Sequence, residues 1–170
     1  MTMTSPVPET NGRRSIVIYM ASKAEMEPKP YEAVLRATAF PGNGTPEQFA
    51  AFLVTCKNYD LDPLKREIFA WPDRGRIIVL VSIDGWLSLI NRQSAYDGMD
   101  FFYSHDQDGR ISAVTCTIHR KDRSHSTSVT EYLSENWRDT APWRTMPARM
   151  LRHRAVVQAA RYTFGFGDIA

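Results

Sequence analysis

Residues 147–164 read PARMLRHRAVVQAARYTF. Pro147 suits the first turn of a helix, where its missing N–H would find no partner in any case. Good helix formers follow, with no internal Gly or Pro until Gly165, a natural stop. At about 100° per residue, Arg154, Gln158 and Arg161 share one face. Arg149, Arg152 and His153 cluster near the start, and Leu151, Ala155 and Ala159 make an apolar side. Such a helix can pack on a sheet through its small residues and keep a cationic edge. Two readings of that edge stand at this point: a solvated helix face, or a wall that holds a phosphate backbone.

Charge bears on the choice. Between Asn136 and Arg161 six arginines face one acid, Asp139, so this segment carries +5 while the whole chain carries only +2. Concentrated positive charge is the electrostatic footprint of nucleic-acid binding. Arginine outnumbering lysine leans toward phosphate, because a guanidinium can bond two oxygens at once.

Working outward, the 170 residues are enough for one domain with its own core, and 43% hydrophobic with 24% charged residues indicates a globular chain. Cys56 and Cys116 sit in no CxxC pair and read as buried, reduced thiols of a cytosolic protein. No apolar run approaches the roughly 18 residues of a membrane span.

Residues 1–30 lack sustained periodicity and read as a flexible tail, with a short strand at Ser15–Met20; residues 31–170 read as the single domain. A helix is predicted over Tyr31–Phe40, stopped by Pro41-Gly42-Asn43-Gly44. Thr45-Pro46-Glu47-Gln48 then sets out a cap, an N1 proline and a capping-box Gln for a helix to about Tyr59. Glu67–Trp71 and Arg76–Ser82 form a β-hairpin with a basic tip. Asp84 is expected to cap a helix over Gly85–Gln93. Strands follow at Met99–Ser104, Ser112–Arg120 and Ser126–Leu133, then an irregular loop over Ser134–Met146. Helices, a hairpin, a meander and a long helix make the class α+β.

Much chemistry has no signature here. GxxxxGK[ST], GxGxxG and GxSxG are missing, and the four histidines show no HExxH or paired-ligand spacing. Asp97 and Asp100 lack a third acid at a spacing suited to a two-metal nuclease, and a turn entering a strand accounts for them. The pattern favours a binding protein over an enzyme.

Several ordered strings are more specific. They are Ile83-Asp84-Gly85-Trp86, Tyr96-Asp97-Gly98-Met99-Asp100-Phe101, Arg120-Lys121-Asp122-Arg123, Val129-Thr130-Glu131, Pro142-Trp143, Arg149-Met150-Leu151-Arg152-His153, Gln158-Ala159-Ala160-Arg161 and Phe164-Gly165-Phe166. In order and spacing, from Tyr31 to Phe166, they resemble the phage lambda Bet (Redβ) family of single-strand annealing recombination proteins, within the RecT superfamily. The resemblance implies a β-hairpin and a short antiparallel sheet with a long basic helix packed across it, preceded by short helices. It implies protomers joined in rings or helical filaments, single-stranded DNA in a continuous basic groove, and annealed duplex as the product. It also implies action in the cytoplasm of a bacterial host, no enzyme activity and no cofactor; whether Mg²⁺ acts as a modulator of annealing stays open, and no site for it is visible.

Carried over residue by residue, Arg154, Gln158 and Arg161 become the groove wall, and Arg149 and Arg152 its entrance. Arg66 and Arg74 match the basic positions of the hairpin region. Lys121 and Arg123, in the matched turn, serve either DNA or protomer contacts. The four tryptophans are expected in the core or at subunit interfaces rather than stacked on bases. There are departures. Ala148 stands where the family's string has Lys, and the Asp73-Arg74-Gly75-Arg76 tip is short. The sequence stops at Ala170, before the C-terminal domain through which the family recruits an exonuclease and a single-strand-binding protein, so those contacts are not carried over. An alternative stays open: an interaction protein that co-assembles with a full-length annealing protein and modulates it.

Overall fold

The computed structural model describes residues 11–167 and 169. Where the sequence suggested one domain, the chain divides into two compact units between Gly85 and Trp86.

The first unit holds α1 (Asn11–Lys23), α2 (Pro28–Thr38), α3 (Pro46–Tyr59) and the hairpin β1 (Ile68–Asp73) and β2 (Arg76–Val81). Phe49, Phe52, Leu53 and Cys56 recur at helical spacing on α3 and are all buried. Phe49 and Phe52 meet Phe40 with ring centroids 5.4 and 5.5 Å away. Thr45 caps α3 as expected: its Oγ1 accepts the Gln48 N–H at 3.2 Å, and Gln48 Oε1 accepts the Thr45 N–H at 2.9 Å.

The expected strand at Ser15–Met20 is instead part of α1, so the tail reading does not hold for residues 11–23; residues 1–10 lie outside the described residues. The β-branched run Ile16-Val17-Ile18 suggests a strand by propensity, but Ile16 and Met20, one helical turn apart, are both buried. Packing against α2 and α3 overrides the propensity. Lys23, in the last turn of α1, pairs with Asp60 at the end of α3.

The hairpin turns through Arg74 and Gly75, at φ 45° and 79°, between the paired residues Asp73 and Arg76. Two positive φ values make a type I′ turn, whose twist suits a two-residue hairpin. α4 (Ile83–Asn91) follows, and its first turn is capped by Ser82 rather than Asp84: the Ser82 Oγ accepts the Gly85 N–H at 3.1 Å. Asp84 is inside the helix, in its first turn. Gly85 is required by close approach, since a Cβ there would lie 2.2 Å from the Glu67 carbonyl oxygen.

The second unit is an antiparallel meander, β3 (Tyr96–His105), β4 (Ile111–Arg120) and β5 (Thr127–Tyr132), with α7 (Pro147–Phe164) packed on it. Val114, Cys116 and Ile118 of β4 are buried, as are Leu151, Ala155, Val156, Ala159 and Ala160 of α7. The alanines let the helix lie close to the sheet. The segment read as an irregular loop contains two short helices, α5 (Leu133–Asn136) and α6 (Ala141–Thr145). Trp86 and Trp143 are buried, while Trp137 is exposed. Both cysteines are buried and unbridged, and burial pushes the Cys116 thiol up from 9.0 to about 12.

Candidate nucleic-acid interface

The candidate interface is the basic edge of α7, which runs from Pro147 to Phe164 and is closed by Gly165 at φ 79°, whose N–H reaches the Arg161 carbonyl at 2.9 Å. Leu151, Ala155 and Ala159 turn one side of the helix into the unit. Arg154, Gln158 and Arg161 share a side that flanks it, centred about 90° around the helix at 100° per residue and spanning about 10 Å along the axis. Arg154 is exposed, and Gln158 and Arg161 are half-buried.

Each arginine of this row is oriented through its Nε. Arg154 Nε donates to Asn136 Oδ1 at 3.1 Å, and Asn136 is itself held by Glu131 Oε2 at 2.7 Å and the Tyr132 carbonyl at 3.0 Å. Arg161 Nε donates to the Phe166 carbonyl at 3.2 Å. Among the described residues neither guanidinium uses its terminal Nη groups, so each keeps two charged donors for an outside acceptor. Preorganised planar donors of this kind suit phosphate oxygens.

The other predicted positions differ in placement. Arg149 is exposed in the first turn, 3.5 Å from Met146 Sδ. Arg152 lies about 160° around the helix from Arg154, at 100° per residue. It turns toward β3, where its Nη1 donates to Tyr103 Oη at 3.2 Å and its guanidinium carbon lies 5.9 Å from the Phe101 ring centre. Lys121 and Arg123 are both exposed in the β4–β5 turn. Arg66 and Arg74 belong to the first unit, exposed at φ 61° and 45°. Left-handed backbone costs a residue with a Cβ about 1 kcal/mol, so these arginines occupy sites better suited to Gly or Asn. Asp100, weighed above as a metal ligand, accepts from His119 Nε2 at 2.8 Å.

Sequence reasoning did not single out the placement of two residues. Arg120 binds Asp122 through Nε at 2.8 Å and Nη2 at 2.6 Å, and its Nη1 donates to the Thr163 carbonyl at 2.8 Å. The Asp122 hydrogen bond raises the Arg120 pKa, and the same bond lowers that of Asp122. This clip ties the β4–β5 turn to the end of α7, and the Arg-x-Asp spacing is its only trace in the sequence. The second is Tyr162, exposed beside Arg161; single-face helical periodicity gives no reason to single it out.

An antiparallel sheet crossed by an alanine-packed helix with an oriented guanidinium row defines an α+β protein with a cationic helix edge. Residues 31–166 match the RecT family, and the chain belongs to that family. It is also similar to Recombination protein bet of Escherichia phage lambda, 41% identical over 155 residues that cover 85% of this chain and 57% of that protein. The chain thus spans a little over half the length of that relative. Among the described residues no helix is long and apolar enough to cross a membrane.

Proposed function

We propose that the chain is a single-strand annealing protein of phage-type recombination. It binds single-stranded DNA along the Arg154–Gln158–Arg161 row, assembles with copies of itself and pairs the bound strand with its complement. It acts in the cytoplasm of a bacterial host, where its thiols stay reduced. The observation that carries this reading is that the RecT match, residues 31–166, spans the entire row and the clip that holds its end.

The physics fits the chemistry required. Two polyanions approach each other only when their backbones are neutralised, and a protein that contacts phosphates leaves the base edges to read sequence by pairing. Pairing and stacking run downhill, so the reaction needs neither ATP nor another cofactor. Arg149 at the helix start, Arg66 and Arg74 in the hairpin region, and Lys121 and Arg123 in the β4–β5 turn are further candidates for backbone contact. Arg152 contributes through the sheet edge it braces.

The test adds two complementary oligonucleotides one after the other, without ATP, and follows duplex formation and particle size together. Accelerated pairing by large assemblies is the expected result. No acceleration over the protein-free reaction, at concentrations where the first strand is fully bound, overturns the reading.

A further inference from the structure

Beyond the end of α7, within the second unit, Gln158, Arg161, Tyr162, Gly165, Phe166 and Gly167 line a cavity of about 410 Å³. That is within the range of about 300–1,000 Å³ in which small-molecule sites fall. We propose that a nucleobase of the bound strand stacks on the ring of Tyr162 at the mouth of this cavity, its pairing edge outward, with Arg161 on the adjoining phosphate and the Gln158 amide toward the sugar–phosphate backbone. The proposal rests on the strand-binding reading and adds to it a base contact and a residue outside the guanidinium row.

Tyr162 is 74% exposed, the highest value among the large apolar and aromatic residues described. Its neighbours Ala159, Ala160 and Thr163 are buried, so the ring is directed away from the core and its face is open. An exposed aromatic beside a cationic groove is the usual platform for single-stranded bases, because every base offers a π-face. The polar groups converge there as well. Arg161 is anchored at the cavity by its Nε bond to the Phe166 carbonyl, which leaves both Nη groups for a phosphate. The Gln158 amide has no hydrogen-bond partner among the described residues and offers both a donor and an acceptor.

The floor is open and fixed. Among the described residues, and apart from the adjoining ones in the chain, a Cβ added at Gly165 or Gly167 would meet nothing within 4 Å. Phe166 is held edge-on against the buried Trp86, ring centroids 5.8 Å apart. A helix C-terminus ordinarily repels phosphate through its unpaired carbonyls. Here the Gly165 N–H takes the Arg161 carbonyl and Arg120 takes that of Thr163, so two of the four terminal carbonyls are satisfied, and the Arg161 guanidinium belongs to the cavity lining.

The experiment measures binding of an oligothymidylate, and of an abasic strand of equal length, across a salt series. Tyr162→Ala and Tyr162→Phe are compared with the unaltered chain, and assembly size is followed by light scattering. Tyr162→Ala should weaken oligothymidylate binding by about fivefold or more, the scale of one lost stacked base. Tyr162→Phe should restore it. The abasic strand should not distinguish the three proteins, and the log–log salt slope should be the same for all, since every phosphate-binding group is retained. Equal affinity of Tyr162→Ala and the unaltered chain for oligothymidylate overturns the proposal while strand binding stands. A change of assembly size in Tyr162→Ala overturns it too, by showing that the ring meets a second copy. Failure of the unaltered chain to bind either strand overturns the annealing reading, and the base site with it.

Discussion

Replacing Arg154 and Arg161 together by alanine removes two guanidinium groups whose Nη atoms are unused within the described residues, and tests the row as a phosphate wall. Neither is part of the core, and each gives up one Nε bond, to Asn136 or to Phe166, so the fold should persist. Each phosphate neutralised on a single strand contributes about 0.7 to the slope of log affinity against log salt. Leaving two phosphates without their guanidinium partners should therefore flatten that slope by about 1.4. Over a fourfold rise in salt the unaltered chain should then lose about sevenfold more affinity than the double variant. The assay is fluorescence anisotropy of a labelled oligonucleotide at four or five salt concentrations, with circular dichroism as the check on folding. Arg120→Ala is the control. All three of its donor nitrogens are engaged with Asp122 and Thr163, so its removal should lower stability and leave the slope alone. An unchanged slope in the double variant, or a flattened one in Arg120→Ala, would show that the strand follows a different surface.

Local geometry elsewhere in the chain sets five more expected outcomes. Thr45→Ala removes one half of the α3 capping box and should lower unfolding stability by about 1 kcal/mol in a urea titration. Arg74→Asn puts a residue tolerant of positive φ into the type I′ turn and should raise stability by about 1 kcal/mol, while weakening DNA binding if the hairpin contributes to it. Gly85→Ala drives a Cβ to 2.2 Å from the Glu67 carbonyl oxygen; thermal denaturation should show a loss of at least about 3 kcal/mol, since backbone must shift to relieve it. Cys56 and Cys116 should resist iodoacetamide until the chain unfolds. Because Cys116 is raised from 9.0 to about 12 in the fold, its contribution is intact below 9.0. It should be lost as pH climbs toward 12, where the unfolded thiol ionises and the folded one resists.

Much of this protein is legible in local sequence. Pro147 and Gly165 bound α7 at the residues expected, because a missing N–H and a free positive φ act locally. The capping box at Thr45 and the Arg74-Gly75 turn are legible for the same reason. The apolar set of α3 follows from spacing alone, since helical periodicity survives any tertiary context that buries one face.

What the sequence could not supply depends on distant partners. α1 exists as a helix because Ile16 and Met20 find a place against α2 and α3, and no local signal announces that. Helical spacing sets Arg154 and Arg161 on one face and Arg149 and Arg152 apart from it, but gives no partner for any of them. Only the fold shows that Arg152 is engaged with Tyr103 and Phe101, while Arg154 and Arg161 are oriented through Nε and left with two donors each. The same holds for Arg120, whose bond to Thr163 crosses 43 residues. Composition and spacing set the elements and the surplus of positive charge, because those follow from local backbone preference and periodicity. Which guanidinium faces solvent and which braces the sheet is decided by tertiary packing, because it depends on what lies across the interface from each side chain.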